Sequence, residues 1–249
     1  MFTNYDLKKQ AKRFVSGENF GTALKLSIIL VLWQVISVIR DNVEPAANIN
    51  IEDTQSTGEL FSTLFSIGVE TLTTSILTEV VVGIFTLGVT WGFVEWHRRK
   101  KAPEHPVKTG LQFINKKNIV DVVVLLGLRF IFTFLWTCLF IIPGIMKTYS
   151  YSQATLLYAE DVRAGREISS LTSYLKKSEK MMRGYRLQLF WLQISFILWW
   201  ILVAITYGIA ALYVVPYYQA AMSEFYVALR DHDEPTSRPK MRFDENDEL

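Results

Sequence analysis

The chain has 249 residues, of which 50% are hydrophobic and 14% aromatic, and its formal net charge is +2. The apolar residues are gathered in long blocks, which is typical of membrane helices and argues against an ordinary soluble domain. The single cysteine, Cys138, excludes an intrachain disulfide. Because Cys138 lies inside an apolar run, we interpret it as a small buried hydrophobic residue.

Residues 1–18 predict a short amphipathic helix on the cytoplasmic surface of a membrane. Thr3 and Asp6 have the spacing of a capping box, and the apolar positions fall on one helical face. Those positions are Leu7, Ala11, Phe14 and Val15, and the basic residues around them are Lys8, Lys9, Lys12 and Arg13. The alternative is an ordinary polar helix that does not contact lipid.

The apolar run after this helix, residues 23–39, is longer than the core of a cleavable signal peptide, which is about 7–15 residues. No site of the small-x-small type follows it closely. We therefore interpret residues 20–39 as a retained first membrane span.

A second span is predicted at residues 76–96, and the outer loop between the two spans covers residues 41–75. Residues 59–75 are either an outer amphipathic helix or an extension of the second span. Gly88 and Gly92 form a GxxxG motif, a spacing that lets two helices approach closely.

The apolar segment 119–160 lies between two inner loops rich in lysine and arginine, 97–118 and 161–186. Because basic loops next to membrane spans stay in the cytoplasm, this segment crosses the membrane twice or not at all. It is long enough for two spans of about 20 residues each. The Pro143–Gly144 pair predicts the turn of this hairpin.

A fifth span is predicted at residues 187–205 and a sixth from about residue 209 to residue 229, with Pro216 kinking the sixth. The acidic tail, 231–249, predicts disorder. The fold predicted from these segments is all-α: a polytopic membrane domain, 19–230, with six transmembrane helices in three hairpins and both termini cytoplasmic.

Two charged residues within the predicted spans form a candidate site. Arg129 lies about ten residues into the third span, or about 15 Å deep, and Glu224 lies about 9 Å deep in the sixth. Because a charge at such depth is costly unless it is paired, we predict an Arg129–Glu224 pair. The pair either fixes helix packing or belongs to a polar path, for which Gln153, Pro216 and Glu79 are further candidates.

The inner loops also predict contact with anionic lipids of the inner leaflet. The residues concerned are Arg98, Arg99, Lys100, Lys101, Lys176, Lys177, Lys180, Arg183 and Arg186. The alternative is that these residues reflect only the rule that basic loops stay inside. Glu95, His97 and His105 match no metal-binding spacing, so no metal or cofactor is predicted, and nucleic acid is not an expected partner.

Several short stretches, in the same order over nearly the whole chain, resemble one family. They are residues 7–13, 135–136, 142–145, 149–152, 159–161 and 178–184, then Phe190, Ser195, Phe196, Trp199, Pro216, Tyr217, Phe225 and Tyr226. The family is the uncharacterised bacterial integral membrane proteins known as domain of unknown function 975. It is more distantly similar to membrane domains attached to some glycerophosphodiester phosphodiesterases. The resemblance implies a multi-pass protein of the bacterial cell membrane and no known catalytic residues.

Two hypotheses of function follow. The first is a structural, regulatory or envelope-stress-related membrane component, with no enzymatic activity because catalytic and nucleotide-binding motifs are absent from the sequence. The second is a small-molecule or lipid transporter, or a lipid-handling protein. The second predicts a polar cavity that reaches the middle of the membrane, whereas the first predicts a closed bundle. A membrane-protein partner or a homo-oligomer is open under either hypothesis.

Overall fold

The computed structural model describes residues 2–43, 57–115, 118–168 and 170–233, and every regular element in these ranges is an α-helix. The prediction of an all-α fold is therefore confirmed for the described residues. In chain order the helices are α1 (Asn4–Phe14), α2 (Asn19–Val43), α3 (Thr57–Arg99), α4 (Pro106–Gly110), α5 (Ile119–Leu139), α6 (Ile141–Tyr151), α7 (Ala154–Arg163), α8 (Leu171–Met181), α9 (Arg186–Ile194), α10 (Ile197–Ile205) and α11 (Ala211–Asp233).

Four segments of the described chain are long and apolar enough to cross a membrane, as judged from length and composition. They are Asn19–Arg40, Ile76–Arg99, Ile119–Leu139 and Arg186–Ile205. These segments correspond to the first, second, third and fifth predicted spans. The fourth predicted span corresponds to the short helices α6 and α7, of 11 and 10 residues, and the sixth corresponds to α11, whose sequence is more polar.

Helix α11 is more polar because protein surrounds it. It packs against α1, α2, α3, α8 and α10. Its polar residues Gln219, Ser223 and Glu224 are all buried, and Gln219 accepts a hydrogen bond from the Thr90 hydroxyl at 2.7 Å. A helix covered by other helices does not need a continuously apolar surface, which is why hydropathy alone does not single it out. Pro216 lies inside this continuous helix.

Many large apolar side chains lie on the outer surface of α2, α5 and α10. Ile36, Leu135 and Leu198 are 62%, 62% and 78% exposed. A large apolar side chain left in water forgoes about 1.5–3 kcal/mol, so such a surface fits lipid acyl chains. Cys138 is also exposed, on α5. Our interpretation of Cys138 as a buried residue is therefore wrong.

Helix α3 is a single helix of 43 residues. Residues 59–75 therefore extend the second predicted span and do not form a separate helix. At 1.5 Å per residue α3 is about 65 Å long, roughly twice the thickness of a hydrocarbon core. The predicted outer loop 41–75 is therefore shorter at both ends, because α2 continues to Val43 and α3 begins at Thr57. Residues 44–56 of the predicted loop lie outside the described residues.

The capping box at the start of α1 is confirmed. The Thr3 side chain accepts the Asp6 N–H, and the Asp6 carboxylate accepts hydrogen bonds from Thr3, which hold the pKa of Asp6 below its usual value. Leu7, Ala11 and Val15 are buried in the main core. The apolar face that was predicted to contact lipid packs against the protein instead.

Helix α8 uses its apolar face in the same way. Leu175 and Met182 are buried, and the helix packs against α5, α6 and α7. The Ser178 hydroxyl donates to the carbonyl oxygen of Ser150 at 2.6 Å and accepts the N–H of Gln153 at 3.2 Å. The predicted inner loop 161–186 therefore contains a helix that is anchored to the bundle.

The turn between α5 and α6 lies three residues before the predicted Pro143–Gly144 pair. Helix α5 ends at Leu139, and Phe140 adopts an extended conformation (φ −156°, ψ 134°) before α6 begins at Ile141. Pro143 and Gly144 belong to the first turn of α6. Proline is tolerated there because the first N–H groups of a helix have no intrahelical partner.

Helices α5 and α6 run antiparallel and approach closely. The rings of Phe132 and Tyr151 are 6.5 Å apart, and a side chain on Gly144 would overlap the Thr137 hydroxyl. Glycine at residue 144 therefore permits the close approach near the turn.

The GxxxG motif of α3 packs against the short helix α4 and against α2. A side chain on Gly88 would overlap the carbonyl oxygen of Gly110 in α4. At Gly92 an added Cβ would lie 2.9 Å from Leu26 of α2 and 3.2 Å from Thr109 of α4. The motif thus packs against two segments of the same chain. One of these segments, α4, lies in the predicted inner loop 97–118.

Replacing Gly88 by alanine is expected to destabilise the protein by about 1–3 kcal/mol, because the methyl group displaces the α4 backbone rather than a flexible side chain. The matched control is Gly127→Ala in α5, where an added Cβ meets nothing within 4 Å. Thermal unfolding of the purified protein in detergent measures both variants. Equal unfolding temperatures for the two variants would contradict the close packing at Gly88.

Candidate functional site

A cavity of about 670 Å³ lies between α2, α3 and α5. Its lining residues are Arg40, Thr74, Thr78, Glu79, Val82, Gly83, Thr86 and Arg129. Ligand-binding cavities have volumes of about 300–1,000 Å³, so this one has room for a small molecule or a lipid headgroup.

The spacing of the lining residues explains why they meet. Thr74, Thr78, Val82 and Thr86 recur every four residues and therefore form one stripe along α3. Glu79 and Gly83 form the adjacent stripe. This regular threonine spacing was visible in the sequence, but we did not identify it there.

Helices α3 and α5 approach each other closely beside the cavity. A Cβ on Gly83 would lie 2.9 Å from the Leu126 side chain. Arg129 lies three residues after Leu126 in α5, and Glu79 lies four residues before Gly83 in α3. Because the two helices are antiparallel, Arg129 and Glu79 are neighbours. The Arg129 Nη2 atom is 3.5 Å from the Glu79 Oε1 atom, and the two side chains are 24% and 38% exposed.

The predicted Arg129–Glu224 pair is wrong, because each residue has another partner. Glu224 is 1% exposed, and its Oε1 atom lies 2.6 Å from the Nδ1 atom of His97 on α3. Our prediction matched the two residues by depth alone. Depth does not determine which neighbouring helix a side chain faces, and Glu224 faces the inner end of α3.

The described residues that line the cavity carry two guanidinium groups, of Arg40 and Arg129, the Glu79 carboxylate and three threonine hydroxyls. Thr86 lies ten residues after Ile76, where the candidate span of α3 begins, so the cavity reaches about 15 Å into that span. That distance is about half of a typical hydrocarbon core.

Two other predicted path residues do not line this cavity. Gln153 is 5% exposed between α6 and α7, and its N–H is bonded to Ser178 of α8. Pro216 is buried within α11. Glu79 is the one of the three path candidates that lines the cavity.

A second group of charges lies where the C-terminal ends of α3, α7 and α11 meet, centred on Glu160 of α7. Glu160 is 1% exposed, and three arginines surround it: Arg98 at 3.7 Å, Arg166 at 3.2 Å and Arg230 at 3.0 Å. The Tyr226 hydroxyl also donates to its carboxylate. We call these five residues the Glu160 cluster. It joins α3, α7 and α11 with the segment after α7.

Neighbouring ion pairs extend the same connection. Arg163 donates to Glu95 of α3 at 2.7 Å. Asp161 is paired with Arg166 at 2.9 Å and accepts a hydrogen bond from the Tyr174 hydroxyl of α8 at 2.9 Å. These contacts fix the inner ends of four helices relative to one another.

Sequence reasoning missed Glu160, Glu95 and Asp161. The available signal was a Glu-Asp pair, residues 160–161, directly after an apolar run and close to many arginines. We predicted lipid contact for Arg98 and did not consider a carboxylate partner for it, and we assigned no contact to Arg163, Arg166 or Arg230.

The nine basic residues predicted to contact anionic lipid divide into two groups. Four of them face carboxylates: Arg98 with Glu160, Lys101 with Glu104, Lys177 with Asp161 and Arg186 with Glu179. Arg99, Lys100, Lys176, Lys180 and Arg183 are exposed at the surface, as are Lys101 and Lys177. Lipid contact stays a prediction for this exposed group.

Replacing Glu160 by glutamine is expected to destabilise the protein by about 3 kcal/mol, because it leaves three arginines beside an uncharged, buried side chain. The control is Glu104→Gln, which removes an exposed ion pair with Lys101 and should have little effect. Chemical or thermal unfolding in detergent measures the difference. A Glu160→Gln variant as stable as the Glu104→Gln variant would show that the cluster does not hold the helices together.

Comparison with known proteins gives one match. Residues 140–233 match the model of a family described as protein of unknown function (DUF975). No curated protein and no solved structure matches the chain. The matched segment contains α6 to α11, and with them every residue of the Glu160 cluster except Arg98. Residues 140–233 therefore match the DUF975 family of proteins of unknown function, which confirms the resemblance found in the sequence.

Proposed function

We propose that this protein is a multi-pass protein of the cell membrane that binds an anionic amphiphile in the cavity between α2, α3 and α5. The observation that carries the proposal is a cavity lined by Arg40, Arg129 and threonine hydroxyls that reaches about halfway along the candidate span of α3. A bundle that served only as a scaffold would not need such a cavity. Lipid handling or transport is therefore favoured over a purely structural role.

The chemistry of the cavity supports an anionic headgroup as ligand. A guanidinium group binds phosphate or carboxylate oxygens through several N–H donors, and hydroxyl groups complete the hydrogen bonding. The Glu79 carboxylate weakens the attraction of the cavity for an anion, because it already neutralises part of the charge of Arg129. A ligand anion must compete with Glu79 for Arg129, which suits reversible binding.

The placement of basic residues supports a cytoplasmic position for both termini and for the connections 97–118 and 161–186. In this orientation the exposed residues Lys176, Lys180 and Arg183 face the anionic inner leaflet. Each such residue near the surface contributes about 1 kcal/mol of attraction to anionic lipid.

A second candidate function is a structural or regulatory component of the membrane. The observation that favours it is the Glu160 cluster, which fixes the inner ends of several helices and is not part of the cavity. A rigid inner end of this kind is a suitable platform for a partner protein.

The test uses short-chain phosphatidylglycerol, with short-chain phosphatidylcholine and inorganic phosphate as comparisons. Added to the purified protein in detergent, phosphatidylglycerol is expected to raise the unfolding temperature more than either comparison. The Arg129→Gln variant should bind it about tenfold more weakly, a change of about 1.4 kcal/mol. The Glu79→Gln variant should bind it more tightly, because the competing carboxylate is gone.

The control is Arg183→Gln, which removes an exposed arginine of the inner surface and should leave this affinity unchanged. Equal losses in the Arg129→Gln and Arg183→Gln variants would refute binding in the cavity. A stronger response to inorganic phosphate than to phosphatidylglycerol would replace the amphiphile with a free anion as the ligand.

A further inference from the structure

The turn between α5 and α6 is apolar on all sides. No residue from 130 to 146 is charged, and charges begin only at Arg129 and Lys147. At the turn itself Leu139, Phe140, Ile141 and Ile142 are 64%, 66%, 70% and 75% exposed. A turn that emerged into water would be expected to carry polar residues instead.

The two charges that bracket the turn are both paired with carboxylates on other helices. Arg129 lies 3.5 Å from Glu79 of α3, and Lys147 lies 2.7 Å from Glu179 of α8. Between these ion pairs the hairpin projects without a charged residue. By helical rise its tip lies about 15 Å beyond Arg129 along α5 and about 9 Å beyond Lys147 along α6.

The backbone of the turn also fits an environment without water. Phe140 is the single non-helical residue between the two helices; its N–H donates to Trp136, and its carbonyl oxygen accepts the N–H of Gly144. Pro143 has no N–H, so it removes one of the donors that would be unpaired at the start of α6. Both backbone groups of the turn residue Phe140 are therefore hydrogen-bonded within the hairpin, as a turn among acyl chains requires.

We infer that the α5–α6 turn lies within the acyl-chain region of the bilayer and does not emerge into the water on the far side. Both arms then enter from, and return to, the same face of the membrane. The lipid acyl chains are the partner of this surface. The inference does not depend on the proposed cavity ligand, since the turn residues do not line the cavity.

The natural sequence supplies the probe, because Cys138 is the single cysteine and lies exposed one residue before the end of α5. The protein is labelled at Cys138 with bimane in detergent and reconstituted into phosphatidylcholine–phosphatidylglycerol vesicles. Spin-labelled lipids with quenchers along the acyl chain are expected to reduce its fluorescence several-fold more than iodide in the water. An impermeant maleimide should not react with unlabelled Cys138 from either side until detergent is added.

Two control variants, both in a Cys138→Ser background, define the two sides of the membrane. Lys176→Cys and Asn48→Cys are each expected to react with the impermeant maleimide, and from opposite sides. Reaction of Cys138 from the side of residue 48 would overturn the inference, since the turn would then emerge there. Reaction from the side of residue 176, or weak quenching by the acyl-chain probes, would also overturn it.

Discussion

The packing of three helices in this protein depends on one buried carboxylate. Glu160 is 1% exposed, and removing a carboxylate from water is favourable only when charges and hydrogen bonds replace the lost hydration. Arg98, Arg166 and Arg230 supply the charges, and Tyr226 supplies a hydroxyl. Because these groups come from distant parts of the chain, satisfying Glu160 fixes the relative positions of α3, α7 and α11.

The same constraint explains why two helices differ from ordinary membrane spans. Helix α7 carries Glu160, and α11 carries Glu224, Arg230 and Tyr226, so neither helix is uniformly apolar. Both helices are enclosed by others, and the polar side chains face protein rather than lipid. Helices α2, α5 and α10 instead present apolar side chains outward. The chain thus separates helices with an apolar outer surface from helices that organise the interior.

Charged pairs across helices illustrate where inference from sequence reaches its limit. The depth of Arg129 within its span followed from counting residues, and the need for a partner followed from the cost of a charge at that depth. The identity of the partner did not follow. Glu79 pairs with Arg129 because close packing at Gly83 aligns α3 with α5. Glu224 is instead hydrogen-bonded to His97.

The sequence by itself determined the all-α fold, the capping box of α1, the positions of the apolar helices and the family of residues 140–233, because these depend on local spacing and composition. Only the tertiary structure decided what each polar or small residue contacts. The apolar faces of α1 and α8 pack against other helices of the chain, and Gly88 contacts the backbone of α4. Such contacts depend on the register and rotation of helices far apart in the chain, which a periodic pattern in one helix does not encode.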